Sequence, residues 1–233
     1  MELSEAMRSQ NACRYYRSDP VPDEVLYRAI DDARFGPQGG NRQPVRFVIV
    51  KDPAKRKALA DMYIIPWTAY SSAAKEGVQA LVAEADGTEK STSLGMSDPA
   101  KGLADADNFA DHFADHPVII VVCVDISNTH PTDTELGRLS IVGGASVYPI
   151  AQNFCLALRN QGVATTFTTL LCAYEPQVRE LLSLPPEYST ACHIVAGYPA
   201  KPFPKRLFRL PVEELVSVDT WGQPLMVKAA TAS

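Results

Sequence analysis

The sequence predicts one domain in which β-strands alternate with helices, on three observations. Its 233 residues, 46% of them hydrophobic, suffice for a sizeable single core. Short runs at 45–50, 117–124, 163–169 and 191–198 have the length and β-branched content of strands. Between them, apolar residues recur at helical spacing.

Taken in order, Leu3, Met7, Cys13 and Tyr16 give the first segment a helix-like apolar face, broken by the turn Arg17-Ser18-Asp19-Pro20. Pro22, Asp23 and Glu24 mark a helix start, because proline's fixed φ suits the first turn and acids favour the positive helix end. Val25, Leu26, Ala29, Ile30 and Ala33 form its buried face. The helix runs into Gly36-Pro37-Gln38-Gly39-Gly40-Asn41-Arg42-Gln43-Pro44, where two consecutive glycines leave backbone N–H groups open to a planar polar ligand. An ordinary helix-to-strand loop is the alternative reading. Pro44 disfavours helix before it, and Val45–Val50 follows as a strand.

Asp52-Pro53 caps a helix expected to end near Tyr63, with Ile64-Ile65-Pro66-Trp67 starting another. From about 84 to 107 the chain lacks periodicity and reads as an insertion, either a loop or a lid. Phe109 and Phe113 sit on a short helix ended by Pro117. Pro117–Val124 is continuously apolar, as a central strand covered on both faces should be. The longest strong helix is expected between Gly143 and Gly162, with Val147, Ile150, Ala151, Phe154 and Leu158 inward. A strand at Val163–Thr169, a helix at Glu175–Leu182 opened by Pro176, and a strand at Ala191–Tyr198 complete the domain. From about residue 200 the tail is Pro-rich and basic, and such a tail is expected to lie on something, another subunit included.

A formal charge of -5 without a basic tract argues against nucleic acid or a membrane surface as partner, leaving small molecules. Cys13, Cys123, Cys155, Cys172 and Cys192 are odd in number and widely spaced, which fits reduced thiols. With acids where a signal peptide carries bases, a cytoplasmic location is expected. No apolar run is long enough to span a bilayer. Dinucleotide, P-loop and nucleophile-elbow motifs are absent. His112 and His116, four apart, have the spacing of two ligands on one helix face, but no H-E-x-x-H accompanies them and surface histidines are the blander reading. Arg14 and the downstream group Lys205, Arg206 and Arg209 suit a ligand with phosphate at one end; solvated surface charge is again the alternative.

Four segments together carry a resemblance. They are Arg14-Tyr15-Tyr16-Arg17-Ser18-Asp19-Pro20-Val21-Pro22, the turn Gly36–Pro44, Ala151-Gln152-Asn153, and Leu182-Ser183-Leu184-Pro185 with Gly197-Tyr198-Pro199. In order and approximate spacing the chain resembles the flavin-dependent nitroreductase family. The resemblance implies an α+β sandwich, a central mixed β-sheet flanked by helices, in an interlocked homodimer with FMN at the interface. It implies that Arg14 and Arg209 meet the FMN phosphate, with Arg206 or Lys205 assisting. It implies that Pro37, Gln38, Gly39 and Asn41 reach the partner's flavin, and that Leu170 and Leu171 present backbone N–H groups to the ring.

The reaction implied is ping-pong: NADH or NADPH delivers hydride to flavin, leaves, and an electron-poor acceptor such as a nitroaromatic or quinone is then reduced. Arg42 and Arg46 are possible sources of positive charge near the flavin's pyrimidine edge, and no catalytic side chain is assigned. Enone reduction, dehalogenation and flavin fragmentation occur within the same resemblance, and a flavin-binding protein without turnover is the alternative from another class. The chain departs from the family pattern at Gln10-Asn11-Ala12, where Arg-Arg-Ser is common, at Val45, where a Trp often follows the turn, and at Gln38, where the turn has a small serine.

Overall fold

Strand β2 (Val118–Asp125) is buried along almost its whole length and is paired on both sides, by β1 (Val45–Val50) and β4 (Tyr188–Gly197). The computed structural model, which describes residues 1–84 and 98–225, adds β3 (Ala164–Thr168) beyond β4, giving the sheet order β1-β2-β4-β3. All three ladders are antiparallel. The parallel component expected of a mixed sheet is confined, among the described residues, to the isolated bridge of Ala12 with Thr165.

Because successive strand residues point to opposite faces, β2 divides its side chains between two cores. Val118, Ile120, Val122 and Val124 enter one; Ile119, Val121 and Cys123 enter the other. β4 repeats the division, and the register step between Val122 and Cys123 absorbs Ala191 of β4 as a bulge. Helices α2 (Asp23–Ala33) and α5 (Tyr148–Asn160) cover the first face through Leu26, Ala29, Ala33, Ile150, Phe154 and Leu158. The second face is covered by α3 (Pro53–Glu84), α4 (Pro99–Asp111) and α6 (Glu175–Leu182).

Several elements differ from expectation for identifiable reasons. Helix α1 (Leu3–Ser9) stops before Cys13 and Tyr16, and Leu3 and Met7 are exposed. Both later residues lie instead on extended chain, because the edge of β3 and Pro199 offer backbone partners that a helix would forgo. α3 continues through Pro66 rather than breaking there. Proline leaves one i−4 carbonyl without its donor, but Tyr63 and Trp67, one turn apart, are both buried and stacked at 8°, holding the two halves on one face.

Residues 99–107 of the expected insertion are helical, and 85–97 lie outside the described residues. The helix is capped by Asp98, whose side chain accepts from Lys101 N–H at 2.9 Å, and buries Ala106, Phe109 and Ala110 at i, i+3 and i+4. α5 begins at Tyr148 rather than Gly143, since Val142–Gly144 form a separate 3-10 turn, and the 32-residue α3 is the longest helix. Gly162, at φ 78°, ends α5 as expected.

Candidate functional site

Residues 12–17 run extended along the outer edge of the sheet. The N–H of Cys13 donates to Thr165, that of Arg17 to Tyr198, and that of Ala200 to Tyr15. Thr166 Oγ1 donates to the Cys13 carbonyl and shares a 2.8 Å hydrogen bond with Tyr16 Oη. This brace holds Arg14 half-buried, its guanidinium 5.3 Å from the centroid of Phe109 on α4. Among the described residues no carboxylate pairs with it.

Arg14 lines a cavity of about 400 Å³ together with Lys101, Asp105 and Lys201. Lys201 Nζ stands 3.6 Å from the Tyr15 ring centroid. Asp105 pairs with Lys101 at 2.7 Å and accepts from Tyr15 Oη at 2.6 Å; the ammonium and the phenol together hold its carboxyl below the usual range. The same hydrogen bond pushes the Tyr15 phenol up. Three cations thus face one carboxylate that already has its partners, an arrangement suited to an anion.

The second candidate surface is the glycine turn. Gly40 (φ 59°) and Asn41 (φ 51°) both occupy the left-handed region, and Gln43 (φ 52°) follows them there. Residues 39–41 are exposed, with Gly39 N–H donating to Ser146 Oγ at 3.0 Å. Pro37, Gln38, Gly39 and Arg42 form one wall of a cavity of about 430 Å³; residues between 128 and 146 form the other. Asp133, 3% exposed, pins that second wall. Its carboxylate accepts from Ser140 Oγ at 2.6 Å, Ile141 N–H at 2.9 Å and Arg138 Nη1 at 2.8 Å, and these donors hold it well below the usual carboxylate range.

The remaining expected site residues are placed separately. Leu171 is fully buried in the second core and Leu170 half-buried beside it, both in the 3-10 turn Leu170–Tyr174 that follows β3, where Leu170 N–H donates to Thr168 Oγ1. Arg206 and Arg209 are exposed on the tail and line neither cavity at Arg14; Arg209 Nη1 donates to the adjacent Phe208 carbonyl at 2.6 Å. One chain therefore gathers Arg14 with Lys201, and the turn with Arg42, but joins neither set to Arg209. Gln10, in the departure from the family pattern, donates to Thr165 Oγ1 and accepts from Gln152, bracing the sheet edge.

Residues at these cavities that were not expected at a site are Lys101, Asp105, His130, Asp133, Ser146 and Lys201. Lys101 and Asp105 carry a readable i,i+4 pairing once 99–111 is taken as helix. His112 and His116 do not form a metal pair: His112 is exposed, whereas His116 is buried, stacked on Phe109 at 4.6 Å, and pushed down to about 4 by burial. Among the described residues no group of three or more His, Cys, Asp or Glu is placed to hold a metal, and no helix is long and apolar enough to cross a membrane.

An NADH dehydrogenase of Thermus thermophilus is 36% identical over 61 residues, which span 26% of this chain and 30% of that protein. The alignment thus covers under a third of the curated relative. The NADPH:FMN oxidoreductase of Vibrio harveyi, solved with NAD+, superposes with a TM-score of 0.63 at 19% identity, covering 96% of this chain and 79% of that one. A BluB-like flavoprotein of Clostridium difficile 630 superposes with a TM-score of 0.64 at 18% identity, covering 93% and 98%. At such identities the two structures establish the shared fold. The profile of the Nitroreductase family matches residues 7–198, from the end of α1 to the Gly197-Tyr198 end of β4, and the chain belongs to that family.

Proposed function

We propose that the protein is an FMN-dependent oxidoreductase that takes electrons from NADH or NADPH and reduces nitroaromatics, quinones or similar electron-poor acceptors in a ping-pong sequence. The observation that carries this reading is Arg14: a half-buried guanidinium with no carboxylate partner among the described residues, in a cavity shared with Lys101 and Lys201, in a chain of this family. These cations fit the phosphate end of FMN, and the exposed left-handed backbone at Gly40 and Asn41 fits the edge of a planar ring. FMN, when bound, supplies a two-electron carrier.

The chain's own groups have distinct tasks in this reading. Arg14 holds phosphate, with Arg206 and Arg209 of a tail as further donors. Pro37, Gln38, Gly39 and Asn41 place backbone and amide groups against the ring, and the backbone at Leu170 and Leu171 offers N–H groups where negative charge develops. We further propose one domain over the whole chain, assembled as a homodimer, because the tail beyond residue 207 leaves Phe208, Leu210, Val212, Leu215 and Trp221 exposed, the last at 97%. A cytoplasmic location is the companion reading, supported by five cysteines without a disulfide.

The visible spectrum tests the reading directly. Purified protein is expected to be yellow, or to become so with FMN, and to bleach anaerobically when NADH or NADPH is added. Yellow protein that neither nicotinamide bleaches would establish a flavin-binding protein without turnover. Protein that takes up no FMN would remove the proposal.

A further inference from the structure

Arg159, in the last turn of α5, is 7% exposed, and among the described residues no carboxylate pairs with it. Burying a guanidinium without a counter-charge is costly, and burial pushes its pKa down. Two contacts offset the cost. Its Nε donates to Ser9 Oγ at 3.1 Å, and Ser9 Oγ donates to the Glu5 carbonyl at 2.7 Å, which fixes the guanidinium against α1. Over it lies the ring of Phe203, with Arg159 Cζ 3.8 Å from the ring centroid, the shortest arginine-to-ring approach among the described residues. Phe203 belongs to the strap 199–207, which leaves β4 and runs beside the Arg14 cavity. Lys201 and Phe203 each precede a proline, so the strap is extended and stiff. Its ends are tied by Ala200 N–H to the Tyr15 carbonyl at 2.9 Å and by Leu207 N–H to the Arg8 carbonyl at 2.8 Å. Between those ties Phe203 is the single aromatic anchor.

We infer that Arg159 is a positioning residue: stacked on Phe203, it seats the strap 199–207 and thereby keeps Lys201 at the wall of the anion cavity. The strap supplies that wall through Lys201, Phe203, Pro204 and Leu207. Arg14 does not depend on the strap in the same way, because residues 12–17 are braced by Thr165 and Thr166 of β3. A lifted strap therefore removes one cation from the cavity and leaves the other. By linkage, an anion that binds better with the strap seated also holds the strap down. The inference rests on the flavin reading for the identity of that anion, but not for the seating itself.

Two measurements test this separately. Trypsin cleaves after Lys205 and Arg206 but not between Lys201 and Pro202, so the cleavage rate within the strap reads how often it lifts. Arg159→Ala and Phe203→Ala should each speed that cleavage roughly three- to tenfold, the loss of one desolvated cation–ring contact. The double variant should be cleaved no faster than the faster single one, since both remove the same contact, and Arg159→Lys should fall between. Unaltered cleavage in both single variants, or effects that multiply in the double, would overturn the inference. Phe203, half-buried and outside both cores, keeps the test open should Arg159→Ala not fold. In the second measurement, fluorescence titration, both single variants should weaken FMN about threefold and riboflavin under about 1.5-fold, and Lys201→Ala should add nothing to Phe203→Ala. Equal losses for the two flavins would remove the positioning role. If the unaltered protein binds no FMN, the flavin reading falls while the cleavage rates still decide the seating. Inorganic phosphate then stands in for the flavin: it should slow cleavage of the unaltered protein but not of Lys201→Ala, and equal protection of both would separate Lys201 from the strap.

Discussion

The two faces of the sheet are built from different materials. The face under α2 and α5 is hydrocarbon, with Leu26, Ala29, Ala33, Ile150, Phe154 and Leu158 meeting Val118, Ile120, Val122 and Ile194. The face under α3, α4 and α6 is aromatic and titratable: Tyr63 stacks on Phe113 at 4.1 Å, His116 stacks on Phe109, and His193 lies fully buried with neither ring nitrogen bonded among the described residues. Arg14 reaches its cavity from this second face. The difference teaches that one side of a single sheet supplies pH-independent cohesion, while the other accepts polar groups at some cost in stability and is where the cationic cavity opens.

The sharpest way to break the contrast is a cavity in the hydrocarbon face. Phe154→Ala removes a fully buried ring that packs on Phe47 at 5.4 Å and should lose about 3–5 kcal/mol of unfolding free energy, equally at pH 5 and pH 8. Denaturant melts at the two pH values check this.

The aromatic face should respond to pH. Burial pushes His116 down to about 4 and His193 down to about 3. Between about pH 6.5 and those values the unfolded chain binds protons that the folded one does not, so stability rises with pH across this window and is lost as pH falls through it. For His116 alone the loss amounts to up to about 3 kcal/mol. His193→Leu, which removes both unbonded nitrogens, should flatten the acid side of the profile without loss at pH 7; an unchanged profile would contradict the assignment.

The smallest expected effect sharpens the contrast from its functional side. Arg14→Ala should weaken FMN by roughly 1.5–3 kcal/mol, about ten- to a hundredfold, while riboflavin, which lacks the phosphate, barely changes. Arg209→Ala should do likewise if the tail contributes to the same phosphate. Fluorescence titration with both flavins checks it, and equal losses for both would move Arg14 away from the phosphate.

What was legible in the sequence were the elements whose signals are local. β1 and α6 fall at their expected residues, and α2 starts directly after Pro22, because β-branching, a proline in the first turn and a glycine stop act over a few positions. Illegible were the features decided by distant partners. Cys13 and Tyr16 look helical until Thr165 and Pro199 are brought beside them. Pro66 looks like a boundary until Tyr63 and Trp67 are seen to share one buried face. Within the site, Arg14 and the turn 37–41 stood out by type and spacing, whereas Lys101 and Asp105 were hidden in a segment whose glycines, serines and prolines mask a helix. Asp133 was hidden too, since its donors lie five to eight residues on and form no known spacing.

The cysteines carry a consequence for chemistry at the bench. Cys13, Cys123, Cys155 and Cys192 are buried and Cys172 only partly covered, and burial pushes every one of these thiols up, Cys123 and Cys155 to about 11. A thiol that is both inaccessible and protonated does not meet an alkylating reagent while its surroundings stay closed. The five sulfurs are therefore built-in clocks for the opening of the molecule. Cys172, in the turn after β3, reports the loosening of that corner, and Cys155 and Cys192, at the centre of the hydrocarbon face, report the opening of the whole fold.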